Sequence, residues 1–368
     1  MRKITTATRS SYIQAGIGTV VLALALPLAM GSESDAHTAA LAAVWCLMAM
    51  GWNIISGYAG PLSLGQGAFF GLTAFFTTML FARFNLSPFV GILVGVVVSV
   101  LVALGIGLLT LRLSGLYFAL ATLTIPLIIG VLTKYFGFYE ITRPYVGQSV
   151  AYLQFDSSVA YYIIAAVLVV LGLFFTAYLS GTRTGRYFVA IRENPRAAEA
   201  SGVPTSRYKL IAFLIGAAFS ALAGGLYSQL AFVFNPDDVY SPLVSVQALL
   251  IVLIGGPGTV LGPLIGAAIV IPGGELLAQN FSQLPGLNNL AYAAVLFVVA
   301  LFSKGGLYPL LEGLVGRLLG RRRRPGGRSG VGAGPGPGRS GPAEGDEDVD
   351  DVEALAPEGA VGGRGERR

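Results

Sequence analysis

Residues 192–202 read RENPRAAEASG, and their order specifies a short helix that presents both charge signs. Asn194 is a good N-cap, because its side-chain oxygen can accept from a free N–H of the first turn. Pro195 suits the first helical position, where no N–H is needed, and Gly202 suits the left-handed C-terminal stop. The spacing predicts a two-turn helix over Pro195 to Ser201, exposing Arg196 and Glu199 beside small alanine faces. Such a helix has the form of a docking knob. A merely solvated loop would explain the arginines but not the caps. Residues suited to covalent or metal chemistry are sparse. The lone Cys46 lies in an apolar run and excludes an intramolecular disulfide, and the lone His37 sits beside Glu33 and Asp35 in a short polar loop. No nucleophile, base and orienting group cluster in the sequence, so no catalytic residue, metal site or cofactor is expected.

Two glycine- and proline-broken segments carry the remaining chemistry. The first, NIISGYAGPLSLGQGAFFGL (53–72), interrupts an apolar run at Gly57, Gly60 and Pro61 and continues through Ser63, Gln66 and Gly67. The second, QALLIVLIGGPGTVLGPLIGAAIV (247–270), is cut by Gly255, Gly256, Pro257, Gly258, Gly262 and Pro263. Helix breaks at membrane depth survive only where protein or a water-filled cavity satisfies the freed backbone groups. Paired breaks in the two halves of a membrane protein point to a central solute path, here the path these twelve residues would line. Tight helix packing through small residues is the alternative reading.

These segments must be held by a membrane bundle. Of the 368 residues 54% are hydrophobic and only 12% charged, with a mean hydropathy of +0.71; a soluble domain carries about 25% charge. Apolar runs lie at 12–30, 38–56, 62–82, 88–111, 116–133, 159–179, 210–233 and 287–303, each near the roughly 20 residues that a helix needs to cross. The expected fold is therefore an all-α polytopic membrane protein with eight full transmembrane helices and a broken or re-entrant hairpin at 243–272. Basic residues set the orientation: Arg2, Lys3 and Arg9, the loop 182–209, and Arg321 to Arg324 should face the cytoplasm. With the loop and the tail on one side, 243–272 must return to the side it left. The organisation is then a cytoplasmic N-terminus (1–11), a membrane domain (12–308) whose first span is retained rather than cleaved, and a tail at 321–368. The tail holds nine Arg against nine acids and too few apolar residues to fold. Residues 309–320 read as an interfacial helix pinned to lipid by the arginine run, or the run is only a stop signal. The neutral tail leaves nucleic-acid binding unsupported.

The spans contain essentially no ionisable group, so ion coupling lacks its usual site. No G-x-x-x-x-G-K-[ST] loop is present either, so the chain is not its own ATPase of that type. A transporter so built must borrow its energy, unless it is a passive channel. Here the sequence becomes specific. AIRENPRAAEASGVPTSRYKLIAFLIGAAFSALAGGLYS (190–228), GYAGPLSLGQGAFFG (57–71) and VLIGGPGTVLGPLIGAA (252–268) resemble, in order, three segments of LivM-type permeases of branched-chain amino acid ABC importers; FSKGGLYPLLE (302–312) matches more loosely. The resemblance implies a second, LivH-like permease, two cytoplasmic ABC ATPases, an extracytoplasmic binding protein and a bacterial inner-membrane location with both termini cytoplasmic. It makes the 195–201 helix a coupling helix, with Arg192, Glu193, Asn194, Pro195, Arg196, Ala198, Glu199 and Gly202 facing the ATPase. It implies branched-chain or related amino acids as solute, with urea and short amides also within the family. One departure stands out: ITRPYVGQSV (141–150) places Arg143 and Pro144 where the family commonly has glycines.

Overall fold

A computed structural model describes residues 2–280 apart from 114 and 146. The expected span at 287–303, the helix at 309–320 and the tail at 321–368 lie outside the described residues.

The described chain is a helical bundle: α1 (Arg2–Ala29), α2 (Glu33–Trp52), α3 (Gln66–Phe84), α4 (Pro88–Thr110), α5 (Leu116–Tyr135), α6 (Ser158–Gly181), α7 (Arg183–Glu193), α8 (Pro195–Ala200), α9 (Thr205–Leu230), α10 (Pro236–Val239), α11 (Pro242–Gly255) and α12 (Gly262–Asn280). Among the described residues seven helical stretches are long and apolar enough to cross a membrane. The all-α polytopic fold is therefore present. The first seven expected runs coincide with α1, α2, α3, α4, α5, α6 and α9 to within a few residues, apart from the start of α1, which lies ten residues earlier.

Burial sorts the helices. α2, α3 and α9 form the centre, whereas α4, α5 and α6 leave most of their apolar surface outward, as lipid-facing helices do. Lipid supplies no hydrophobic drive between helices, so close packing depends on small residues. A Cβ on Gly224 of α9 would lie 1.9 Å from the Phe70 carbonyl oxygen of α3, and one on Gly51 of α2 would lie 2.6 Å from that of Gly216. α1 belongs to the same body: Gly18 packs on Leu173 of α6, and the Tyr162 hydroxyl donates to the Leu22 carbonyl at 2.8 Å.

The interrupted stretch is a helical hairpin of α11 and α12. Its tip lies at the end of the bundle that carries the α7–α8 loop. The second arm reaches the opposite end, where Pro272 and Ala268 of α12 line a cavity with Asp35 and Thr38 of α2, whereas the first arm starts beside α3, with Ser241 and Ser245 at Gly67 and Tyr240 at Gly71. α1, whose apolar part is Ser10–Leu26, is not among the seven stretches; Pro236–Gly255, the first arm of the hairpin, is. The second arm is longer than the apolar pattern suggests, because Pro272 sits inside α12 instead of ending it; prolines inside membrane helices are tolerated where neighbours satisfy the freed groups. Nineteen residues give α12 a length of about 28 Å, more than a half-helix.

The end of the bundle away from the α7–α8 loop carries a two-residue antiparallel ladder, β1 (Ile141–Thr142) on β2 (Val233–Phe234). Arg143, the departure from the family pattern, is buried there. Its guanidinium donates to the Gln229 carbonyl at 2.6 Å and lies over the Phe232 ring, so it ties the 141–150 segment to the end of α9.

Cys46 is the single cysteine and is 1% exposed, which makes its alkylation a reporter of unfolding. Gly224→Ala should lower stability by about 1–3 kcal/mol through overpacking. Gly105→Ala, where a Cβ meets nothing within 4 Å, should be neutral or slightly stabilising. Thiol reactivity followed on heating distinguishes the two.

Candidate functional site: the helix breaks and the loop helix

α2 does not stop at Trp52. It passes directly into a π-helical stretch, Asn53–Ala59, that ends at Gly60 with φ +99°. An L side chain at that angle would be strained. The backbone then runs without helix to Gln66. Side chains satisfy its freed groups one by one. Ser56 Oγ donates to the Pro61 carbonyl at 2.9 Å and accepts from the Ser63 N–H at 3.2 Å. Trp52 Nε1 donates to the Ser63 carbonyl at 2.8 Å. The Leu64 N–H donates to Thr122 of α5, and the Gly67 N–H to Ser245 of α11. Ser220 of α9 donates to Gln66 Oε1, while Gln66 Nε2 is buried with no partner. Protein closes this break, and one amide donor is left over.

The second break is the hairpin turn. Gly256 (φ +127°) and Gly258 (φ +73°) take left-handed backbone, and the Thr259 hydroxyl donates to the Gly256 carbonyl at 2.8 Å. The arms touch behind it: a Cβ on Gly255 would lie 1.8 Å from the Gly262 carbonyl oxygen. Gly255, Gly256, Gly262 and Pro263 are buried, and Pro257 is exposed at the tip.

The two breaks meet. The Asn53 amide donates to the Thr259 carbonyl at 2.8 Å, and its oxygen accepts from the Gly258 N–H at 2.8 Å. A Cβ on Gly57 would lie 2.7 Å from the Gly258 nitrogen. Of the twelve residues read as path-lining, Gly57, Ser63, Gln66 and Gly67 are buried at this centre, whereas Gly60 is exposed and Pro61 half-buried.

The loop between α6 and α9 contains the expected short helix. Asn194 Oδ1 accepts from the Ala197 N–H at 3.1 Å, Pro195 occupies the first turn, and Gly202 closes the helix at φ +82°. α8 ends at Ala200, one residue short of the expected span. Arg196, Glu193, Asn194, Pro195 and Gly202 are exposed; Glu199 is exposed too, with its carboxylate accepting from the Thr205 hydroxyl. Of the residues expected to face outward, Ala198 does otherwise, and Arg192 is exposed but turns its guanidinium inward. Ala198 is buried and anchors α8, while Arg192 reaches back to donate to the Gly57 carbonyl at 2.7 Å and pairs with Glu193 at 2.8 Å. A cleft of about 470 Å³ opens beside it, lined by Gly60, Pro61, Phe118, Arg192, Pro195 and Lys209.

Sequence reasoning missed α7, an amphipathic helix with Thr182 as N-cap and Gly185, Phe188 and Ile191 turned inward. A spacing of three between those residues was the available signal. It also missed Asn53, Ser56, Thr122, Ser220 and Ser245, whose signal was a polar side chain inside an apolar helix.

A family model described as the branched-chain amino acid transport system permease component matches residues 36–302. The chain belongs to that permease family. The chain is 26% identical over 318 residues to the high-affinity branched-chain amino acid transport system permease protein LivM of Salmonella typhimurium, covering 79% of this chain and 73% of that one. It is 27% identical over 130 residues to the permease protein LivH of the same organism, covering 35% and 41%. It is 28% identical over 148 residues to the autoinducer 2 import system permease protein LsrC of Shigella flexneri, covering 39% and 43%. No solved structure matches significantly. Members of the family are transport permease subunits and not enzymes.

Removing a hydroxyl from the first break leaves a buried N–H unpaired, at about 1–3 kcal/mol each. Ser245→Ala and Thr122→Ala should therefore advance Cys46 alkylation on heating. Thr124→Ala should not, because that exposed hydroxyl only bonds the Ala121 carbonyl of its own helix.

Proposed function

We propose that this chain is a transmembrane permease subunit of an ATP-driven ABC importer in a bacterial inner membrane. It pairs with a second, LivH-like permease, two cytoplasmic ABC ATPases and an extracytoplasmic binding protein. The α7–α8 loop and the N-terminus face the cytoplasm, in keeping with the positive charge of Arg183, Arg186, Arg196, Arg207 and Lys209. The solute is a branched-chain or related amino acid delivered from outside.

One observation carries the reading: a capped helix, α8, is anchored by Ala198 and presents Arg196 and Glu199 outward. A groove on an ATPase is the partner that such a helix suits. The solute passes near the breaks, where the spare Gln66 Nε2 donor and the α3 N-terminus offer polar contacts to a carboxylate. Weak contacts suffice, because ATP-driven motion rather than affinity drives transfer. The match to an autoinducer 2 permease supports a second reading, in which the solute is another small polar molecule.

Two measurements check these claims. Arg196→Glu combined with Glu199→Lys should cut uptake at least tenfold while the protein still inserts at normal level; normal uptake by that double variant would remove the docking claim. Competition of labelled leucine uptake by isoleucine and valine, and not by urea, is the expected solute profile.

A further inference from the structure

We infer that the loop is mechanically joined to the two breaks through a three-part joint of Arg192, Asn53 and the hairpin turn, with Asn53 as the positioning residue. This deepens the importer reading and rests on it for its functional consequence.

The geometry is specific. Arg192 is the penultimate residue of α7 and lies two residues before Asn194, the N-cap of α8. Its guanidinium leaves the loop, donates to the Gly57 carbonyl, and packs on the hairpin turn, where a Cβ on Gly258 would lie 2.5 Å from Nη1. Gly57 lies in the π-helical stretch, whose widened turns bring carbonyls off the regular i to i−4 ladder. Asn53, one turn earlier in that stretch and 1% exposed, holds the turn by one donated and one accepted bond. A glutamate or leucine there could not make both bonds. The turn closes the α11–α12 hairpin, whose second arm runs to the far end of the bundle. Any displacement of α7 and α8 must therefore be shared by the π-helical stretch and the hairpin, or must break these three bonds.

The π-helix and the positive-φ glycines Gly60 (+99°), Gly256 (+127°) and Gly258 (+73°) give the joint the local freedom to move as a unit. Gly60 also permits this closeness, since a Cβ there would lie 3.1 Å from Arg192 Cα. Motion of the exposed loop is thus passed to the π-helical end of α2 and to the hairpin turn. Arg192 acts inward, and Arg196 and Glu193 act outward.

Hydrogen exchange of the full chain in lipid nanodiscs tests the joint directly. Asn53→Ala should raise exchange of a peptide covering 256–261 at least tenfold with Cys46 still unreactive. Arg192→Ala, which removes no bond to the turn, should raise the same peptide's exchange, and Arg192→Lys should restore much of the protection. Unchanged exchange at 256–261 in Arg192→Ala overturns the joint. In the assembled transporter, Asn53→Ala should lose at least tenfold in uptake while ATPase co-purification and basal hydrolysis persist; retained uptake also overturns it. A wild-type chain that captures no ATPase contradicts the importer reading instead, and the exchange result still decides whether loop and hairpin are joined.

Discussion

A backbone N–H or carbonyl without a partner is very unfavourable in the hydrocarbon core, and this constraint organises the protein. The helices are interrupted at 60–65 and at the 256–261 turn, and much of the surrounding bonding closes these breaks. Ser56, Ser63, Thr122 and Ser245 supply hydroxyls to the 60–67 backbone, and Asn53 and Thr259 serve the hairpin turn. These donors and acceptors come from the π-helical stretch, α5 and α11, so the breaks can form only when the bundle has assembled around them. The glycines have the complementary task. Gly224, Gly255 and Gly266 admit backbone where a side chain would collide.

The same closure links places distant in sequence. Asn53 and Thr259 are 206 residues apart, and Arg192 and Gly57 are 135 apart. Loop, π-helical stretch and hairpin therefore form one bonded group at one end of the bundle. The charged residues sort accordingly. Arg196 and Glu193 stay on the outer surface, Arg192 is drawn to a carbonyl, and Arg143 performs a similar anchoring task at the other end on the Gln229 carbonyl. At each site a guanidinium donates to a carbonyl of another segment, and Arg192 does so while paired with Glu193; five donors in a fixed fork allow both.

Much of this fold was legible in the sequence because it rests on local chemistry. Asn194, Pro195 and Gly202 specify α8 through caps that act within a few residues, and the apolar run lengths specify the spans. The second arm of the hairpin exceeds its expected bound at 272 because α12 continues past Pro272 to Asn280. α7 escaped because its buried face is only Gly185, Phe188 and Ile191 in a polar stretch. The direction of Arg192, and the meeting of Asn53 with the hairpin, are tertiary facts with no local signature. The polar residues that close the breaks were visible as Ser, Thr and Asn in apolar runs, but their partners were not.

The decisive measurement is uptake of labelled leucine into liposomes that contain this permease with its partner permease, binding protein and ATP, compared with and without the ATPase subunits. An ATP-driven role requires accumulation only when the ATPases are present. Leucine flux of equal size through liposomes holding this chain alone would contradict it.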